Sequence, residues 1–506
     1  MDGPHLALSI PEILLEILEY LSVGEIKVVA LVCKAWLGPV VDTKWRTKTI
    51  PLSCLLGRLA PIQETQRGCT ALAPNTLITQ DHWNRFLEQY ANRITRLNMD
   101  KEFDKTSIEL ISTLLERFGG QLGSNITSLN WPEISHGDSS HLALIGLLHL
   151  TKLQEVQIPF EDHKSRLKDS LPIALSQLAR LAPQISRIAG VGVYNSFDFS
   201  VFSRLRVLSH CGHLSTSDYH NLTHCKHLHT LRLIWTVVQV ISGQQTNNTF
   251  SRLEKLGLIY PGDEMENMVL QSVMPALRTF TYRREEAGLF TVPLLNNILR
   301  TSPLLTVISV TVVVPPSQLE LVQHNGVRRL VFKNLYRLRS ELEARNPPDL
   351  SIIGGAFPKL EWLAVIFSQD HQPPSFRFSW HWHTLSALGD HLQHLQRLVL
   401  SLHVPNSLIF ETPKGTAALP SLTHVKFQVL YIAPVDINAF VSYLAMLCPN
   451  ILCMEVDVLN ELQEDLGEGV EYVQGKGRTF VKRFFHYVNQ IRESKGFDGH
   501  SVQGIQ

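Results

Sequence analysis

The chain has no excess of charge of either sign: Lys+Arg and Asp+Glu each number 46 in 506 residues. No global field therefore draws it to nucleic acid or to an anionic membrane, and any electrostatic recognition must be local. It also lacks an apolar run approaching the roughly 18 uncharged residues that a membrane helix needs. Its first apolar stretch follows Asp2 and is interrupted by Glu12, Glu16 and Glu19, unlike the basic-then-apolar order of a secretory leader. Cysteine is sparse and odd in number. The seven, at 33, 54, 69, 211, 225, 448 and 453, are too irregularly spaced for a disulfide framework, so reduced and mostly buried thiols are expected. The sequons at Asn125, Asn221 and Asn247 then carry no weight, because the acceptor motif matters only in the secretory pathway. A soluble chain of the cytoplasm or nucleus is the expectation.

Motifs of catalysis are missing as well. Gly190-Val-Gly192 lacks the third glycine and the helix start of a dinucleotide site, and the sequence has no phosphate-binding loop, paired-histidine zinc motif or Gly-x-Ser-x-Gly elbow. The densest group of metal-ligating residue types is His210, Cys211, His213, His220, His224, Cys225, His227 and His229. Its spacing matches no zinc finger and it straddles two repeat copies, so the side chains are expected to be dispersed rather than aimed at one centre. No catalytic, cofactor-binding or metal-ligating residue is assigned, and no cofactor is expected.

What the chain does have is apolar material, 44% hydrophobic against 18% charged residues, enough for order throughout its length. At this length it must form several domains or one repeat array. Near the start, Pro11 occupies the first helical position that proline prefers, and Leu14, Leu15, Leu18 and Leu21 follow at helical spacing. Ser22-Val23-Gly24 breaks this stripe. Two further short stripes, Ile26/Val29/Ala30 and Val32/Ala35/Trp36, precede Gly38-Pro39, which is expected to end a unit of three short helices. About 40 residues are near the limit of independent stability, so such a unit is a candidate docking module.

The residues Ile10-Pro11-Glu12 through Tyr20-Leu21, then Leu31-Val32-Cys33-Lys34-Ala35-Trp36 and Trp45-Arg46, resemble the F-box family over about a tenth of the chain. Ile10 stands where the family usually has Leu. The resemblance implies docking on the Skp-type adaptor, and through it on cullin, in an SCF-type ubiquitin ligase, with the rest of the chain selecting a substrate. It points to Ile10, Pro11, Ile17, Leu18, Leu21, Val32 and Trp36 as the adaptor contact or its support.

From residue 94 a six-residue frame of the form L-x-x-L-x-L recurs, for example Ile94/Leu97/Met99, Leu228/Leu231/Leu233, Leu253/Leu256/Leu258 and Leu395/Leu398/Leu400. Its mean period is about 27 residues, inside the leucine-rich-repeat range. Ile185/Ile188 and Leu205/Leu208 are weaker copies without a third apolar residue, and several copies share a lead-in such as Phe357-Pro-Lys-Leu360, whose Pro or Ser suits an extended approach to the strand. The Asn or Cys that usually follows the frame is mostly absent, and the spacing is irregular, as in the arrays of fungal F-box proteins. The fold expected is α/β: an N-terminal three-helix F-box followed by an irregular leucine-rich-repeat solenoid with a parallel concave sheet and outer helices. The expected boundaries are 1–48 for the F-box, 49–93 for a connector and N-terminal cap, 94–460 for the solenoid and 461–506 for a C-terminal cap and polar tail. Long insertions are expected near 236–249, 368–380 and 405–418.

Side chains that alternate with the buried pair of each copy should project from the sheet. In the copies starting at 205 through 422 they include Arg232, Lys255, Arg283, Arg329, Lys333, Arg397 and Lys426, with Trp362 and His424, and no Asp or Glu. Arg232, Lys255, Arg283, Arg329, Trp362, Arg397 and Lys426 are the expected substrate contacts, suited to an acidic or phosphorylated protein segment. The function expected is a non-catalytic substrate receptor of a ubiquitin ligase. The alternative is a non-ligase scaffold, or an enzyme with a cryptic site, tethered through its F-box-like start.

Overall fold

The structure, a computed structural model, describes residues 11–21, 23–29, 34–64, 70–73, 77–99, 103–131, 140–158, 170–193, 197–239, 248–284, 291–311, 321–334, 350–367, 380–381, 384–404, 419–432, 437–461, 481–482, 484–486 and 489. It divides into two compact units, 1–244 and 245–506. The division falls within the expected array, not at its edges.

The first unit begins with three helices, α1 (Pro11–Tyr20), α2 (Val23–Val29) and α3 (Lys34–Thr47). Leu14, Leu18, Ile26 and Val40 form their shared core, with Leu21, Val29 and Trp36 packed against it. Gly38-Pro39 does not end the unit. Pro39 lies inside α3, where its missing N–H normally costs about 3 kcal/mol. The helix continues because Val40, Thr43 and Trp45 beyond the proline are all buried. Trp45 packs against Tyr90, ring centroids 5.1 Å apart.

The sheet starts earlier than the frame at 94. Strand β1 (Ile50–Pro51) pairs in parallel with a strand after it in the repeat region, and α4 (Leu52–Leu56) buries Leu52, Leu55 and Leu56. A small antiparallel pair, β2 (Ile62–Glu64) and β3 (Thr70–Leu72), follows. Then comes α5 (Gln80–Gln89), capped by the Thr79 side chain and burying Trp83, Phe86 and Leu87. The rest of the unit alternates strand and helix: β4 (Arg96–Asn98), α6 (Lys105–Phe118), β5 (Ser128–Asn130), α7 (Ser140–Leu147), β6 (Glu155–Gln157), α8 (Ser170–Leu181), β7 (Arg187–Val193), β8 (Val207–Ser215), α9 (Thr216–Leu222) and β9 (Thr230–Gln239). Strands β1 and β4 to β9 lie side by side in chain order, each pair parallel.

The second unit repeats the plan with β10 (Lys255–Ile259), α10 (Asp263–Leu270), β11 (Thr279–Arg283), α11 (Thr291–Thr301), β12 (Val307–Thr311), β13 (Arg329–Asn334), α12 (Leu350–Ala356), β14 (Trp362–Phe367), β15 (Trp380–His381), α13 (Thr384–His391), β16 (Arg397–Val404), β17 (His424–Ile432), α14 (Ile437–Leu447) and β18 (Cys453–Glu461). Its strands are again parallel and in chain order, except that β15 pairs only with β16. A helix or loop between parallel neighbours is what the frame demands: each copy gives a short strand with one buried edge and must stack on the next to cover it.

The frame residues are the core in both units. Leu231, Leu256, Leu363 and Leu398 are at most 1% exposed. The lead-in differs from the extended form expected. The frame's first residue donates its backbone N–H three residues back, as Leu360 does to Phe357 (3.1 Å), Leu277 to Met274 (3.1 Å) and Leu422 to Leu419 (3.2 Å). This is a β-turn with proline or serine at its second position, and the residue opening it is buried. The lead-in turns thus close on their own backbone bonds.

The two weak copies have physical explanations. In the copy at 185 the third frame position is Gly190, at φ +79°, and a Cβ there would lie 1.9 Å from the Ile158 carbonyl oxygen. Only glycine fits, and the pairing of β7 with β8 shifts register between Ile188 and Val191. In the copy at 205 the third position is His210, fully buried. The expected insertions at 368–380 and 405–418 lie outside the described residues except Trp380, which opens β15. Within 236–249, residues 236–239 instead extend β9, which bulges at Trp235 (φ +45°). The tail is described only around 481–489, where Phe484 is buried.

Candidate functional site

The sheet face of the second unit brings three of the seven expected contacts together. One register row runs Lys255, Thr279, Val307, Arg329, Trp362, Arg397, His424 and Cys453 across adjacent strands. Trp362 on β14 lies between the two arginines: the Arg329 guanidinium is 3.4 Å from the indole centroid and that of Arg397 is 5.8 Å away. Both arginines are exposed, and no ion pair with either occurs among the described residues. Burial, then the nearby Arg397, lowers the Arg329 pKa. The Trp362 indole N–H is buried with no acceptor. Cation–π stacking holds both guanidinia against a flat surface while leaving their N–H groups free.

The remaining expected contacts are dispersed. Lys255 shares the row but lies three strands from Arg329. Arg283 belongs to a later row with Thr311, Lys333 and Ile366, and its guanidinium lies 5.0 Å from the Tyr260 ring centroid. Lys426 is paired with Glu455 of the next strand at 3.2 Å, so the acid-free character of the face ends there. Arg232 is exposed on β9 of the first unit, in register with Ser209.

Sequence reading missed a buried polar cluster in the second unit. Tyr282, a third frame residue, donates its hydroxyl to Glu266 of α10 (2.6 Å) and contacts Thr291 Oγ1 (3.1 Å). Arg284 donates to Glu266 (2.5 Å) and Asp263 (2.7 Å). Burial and the bond to Glu266 raise the Tyr282 pKa, keeping the hydroxyl a donor. The signal available was a tyrosine at a core position beside the acidic run Asp263-Glu264-Met265-Glu266: a buried hydroxyl needs a partner.

The His/Cys group is scattered along β8, α9 and the turn after it. Among the described residues no set of three or more His, Cys, Asp or Glu is placed to hold a metal ion. Cys225 is buried, its thiol pushed up to about 12, and His220 and His224 meet edge-on at 5.1 Å. His210 is the outlier: neither ring nitrogen has a hydrogen-bond partner, and burial, then His213, lowers its pKa from 6.5 to about 3. Its neutral form is the folded form. As pH falls below 6.5 the unfolded chain gains a proton that the folded chain refuses until about 3, so stability declines across that window. Replacing His210 with Leu, the residue the frame prefers, is expected to stabilise the unit by about 1–3 kcal/mol. It should also flatten the acid slope, read as melting midpoints at about pH 7 and about pH 5.

At the N-terminal end, the small core of α1 to α3 leaves Ile13, Leu15 and Ile17 about 40% exposed, Tyr20 85% and Val28 66%. So many large apolar side chains on so small a unit mark a surface built to be covered. Residues 11–51 match the F-box-like family. They are an F-box-like domain. None of the curated proteins compared with the chain matches it. Among solved structures, an internalin (inlF) from Listeria monocytogenes is similar at 14% identity with a TM-score of 0.34, over 70% of this chain and 90% of that one.

Within the F-box-like domain the expected adaptor residues separate by role. Ile17 is exposed, Leu18 is sealed in the domain's own core, and Leu21 and Trp36 are half-buried against that core. Pro11 begins α1, and its side chain, like Ile10 and Val32, lies outside the described residues. The exposed Ile13, Leu15, Tyr20 and Val28 were not among the residues expected from sequence. An F-box-like domain joined to parallel repeat units suits an interaction protein rather than an enzyme. Among the described residues no helix is long and apolar enough to cross a membrane.

Proposed function

We propose that the chain is a substrate-recognition subunit of an SCF-type cullin-RING ubiquitin ligase, acting in the cytoplasm or nucleus. The F-box-like domain docks on the Skp-type adaptor, and the sheet face of the second unit takes a protein target. The match at residues 11–51 carries the first half of this reading. The exposed apolar side chains of α1 and α2 supply the contact, and the Leu14/Leu18/Ile26/Val40 core supports them. For the second half, Trp362 offers a flat anchor between two exposed guanidinia, suited to an acidic or phosphorylated segment held by paired N–H donors. The chain itself is read as non-catalytic.

The test is co-expression with a Skp-type adaptor. The full chain is expected to co-purify with it as a stoichiometric complex, and Ile17→Ser, which removes apolar contact without touching the core, to weaken that complex about tenfold. A full chain that runs free of the adaptor would overturn the ligase reading and favour a scaffold.

A further inference from the structure

The first unit contains a cavity of about 470 Å³ lined by Gln154, Gln184, Ser186, Arg204, Arg206 and His227. These residues come from four consecutive copies and occupy equivalent places, immediately before or after the first frame residue. Backbone bonds tie the places together: Ser186 N–H donates to Gln154 O (2.9 Å), Arg206 N–H to Ser186 O (2.8 Å) and His229 N–H to Arg206 O (2.9 Å). This ladder sets the side chains at the spacing of adjacent strands, roughly 4.8 Å. The Arg204 guanidinium donates to the Gln184 carboxamide oxygen, which steadies one wall. No partner for the Arg206 side chain occurs among the described residues.

The lining has two guanidinia, an imidazole, two carboxamides and a hydroxyl, and no carboxylate. This is a property of the unit's edge, since none of the places flanking the first frame residue in its copies is Asp or Glu. The same places in the second unit include Glu254 and Glu361, and Glu361 lies 3.9 Å from Arg328. The edge of the second unit thus carries carboxylates among its cations, while the lining of the first unit's cleft has none.

We propose that this cleft binds a small phosphate ester, such as a sugar phosphate. Its volume lies within the 300–1,000 Å³ or so typical of small-molecule sites. Arg204 and Arg206 take the phosphoryl oxygens through paired N–H donors, and Gln154, Gln184 and Ser186 pair with hydroxyls on the body of the ligand. The site shares no residue with the target face of the second unit or with the adaptor contact.

The experiment is calorimetric titration of the full chain with glucose 6-phosphate, inorganic phosphate and glucose at matched ionic strength. Saturable binding of one glucose 6-phosphate per chain is expected, tighter than inorganic phosphate, with none for glucose. The double variant Arg204→Gln/Arg206→Gln should bind at least about tenfold more weakly at an unchanged melting midpoint, because both side chains are exposed. Absence of saturable binding in the millimolar range overturns the proposal, as does equal affinity of variant and native chain. Binding of heparin with no binding of glucose 6-phosphate overturns it in favour of an extended polyanion surface.

Discussion

Replacing Arg284 with Met is expected to destabilise the second unit by about 3–5 kcal/mol, because it strands a buried carboxylate. Glu266 is wholly inaccessible to solvent, and one of its oxygens already lacks a partner. Its other oxygen accepts from Tyr282 and from Arg284, which is itself only 22% exposed. Removing the guanidinium leaves a single neutral donor facing a charge that water cannot reach. The outward ion pair with Asp263, whose side chain is 47% exposed, contributes little by comparison. The triple variant Glu266→Leu/Tyr282→Phe/Arg284→Met removes every member at once and should recover most of the loss, since apolar replacement of a whole buried polar set is often near neutral. Urea unfolding of the two variants measures both outcomes. An Arg284→Met midpoint within experimental error of the native chain would show that Glu266 is not charged or not buried in solution.

Reversing Arg329 and Arg397 to Glu should weaken capture of the protein target by about a hundredfold or more while sparing adaptor binding. Each charge-assisted hydrogen bond contributes roughly 1.5–3 kcal/mol, and reversal adds repulsion to its loss. Both guanidinia are exposed, so their reversal leaves the frame residues beneath undisturbed. Trp362→Ala provides a second reading of the same surface. It removes the plate on which both arginines rest and should reduce capture through lost positioning, with a weaker salt dependence than the charge reversal. Targets recovered by the native chain and by the double variant, compared at two salt concentrations, decide the matter. Equal recovery at both would move recognition to another surface.

The strands were legible in the sequence because their burial has a simple period: every copy with three apolar frame residues forms a parallel strand. The weak copies were legible as anomalies but not as causes. That Gly190 sits against a carbonyl, or that His210 fills a core position, depends on the neighbouring strand, which no local pattern reveals. Pro39 misled for a related reason, since propensity argues for a break and the burial of Val40 and Trp45 beyond it decides for continuation. For the sites, alternation identified which residues face outward but not which of them meet. Arg329, Trp362 and Arg397 are separated by intervals of 33 and 35 residues, and only the register places them side by side. Lys426 faces outward as expected, but its pairing with Glu455 depended on the strand after it.

The stacked register also makes the second unit a ruler. Neighbouring strands in a sheet stand about 4.8 Å apart, so Arg329 and Arg397, with Trp362 between them, mark off roughly 9.6 Å at right angles to the strands. A segment in the polyproline II conformation advances about 3.1 Å per residue with about three residues per turn, so residues three apart share one face about 9.3 Å apart. A segment laid across the strands therefore meets both guanidinia with acidic groups three residues apart, with the intervening residues over the indole. A helix would need seven residues for the same span at about 1.5 Å each. If this face takes an acidic segment as proposed, the spacing of the repeats sets a spacing in the target, and an acidic residue shifted by one place falls between the marks.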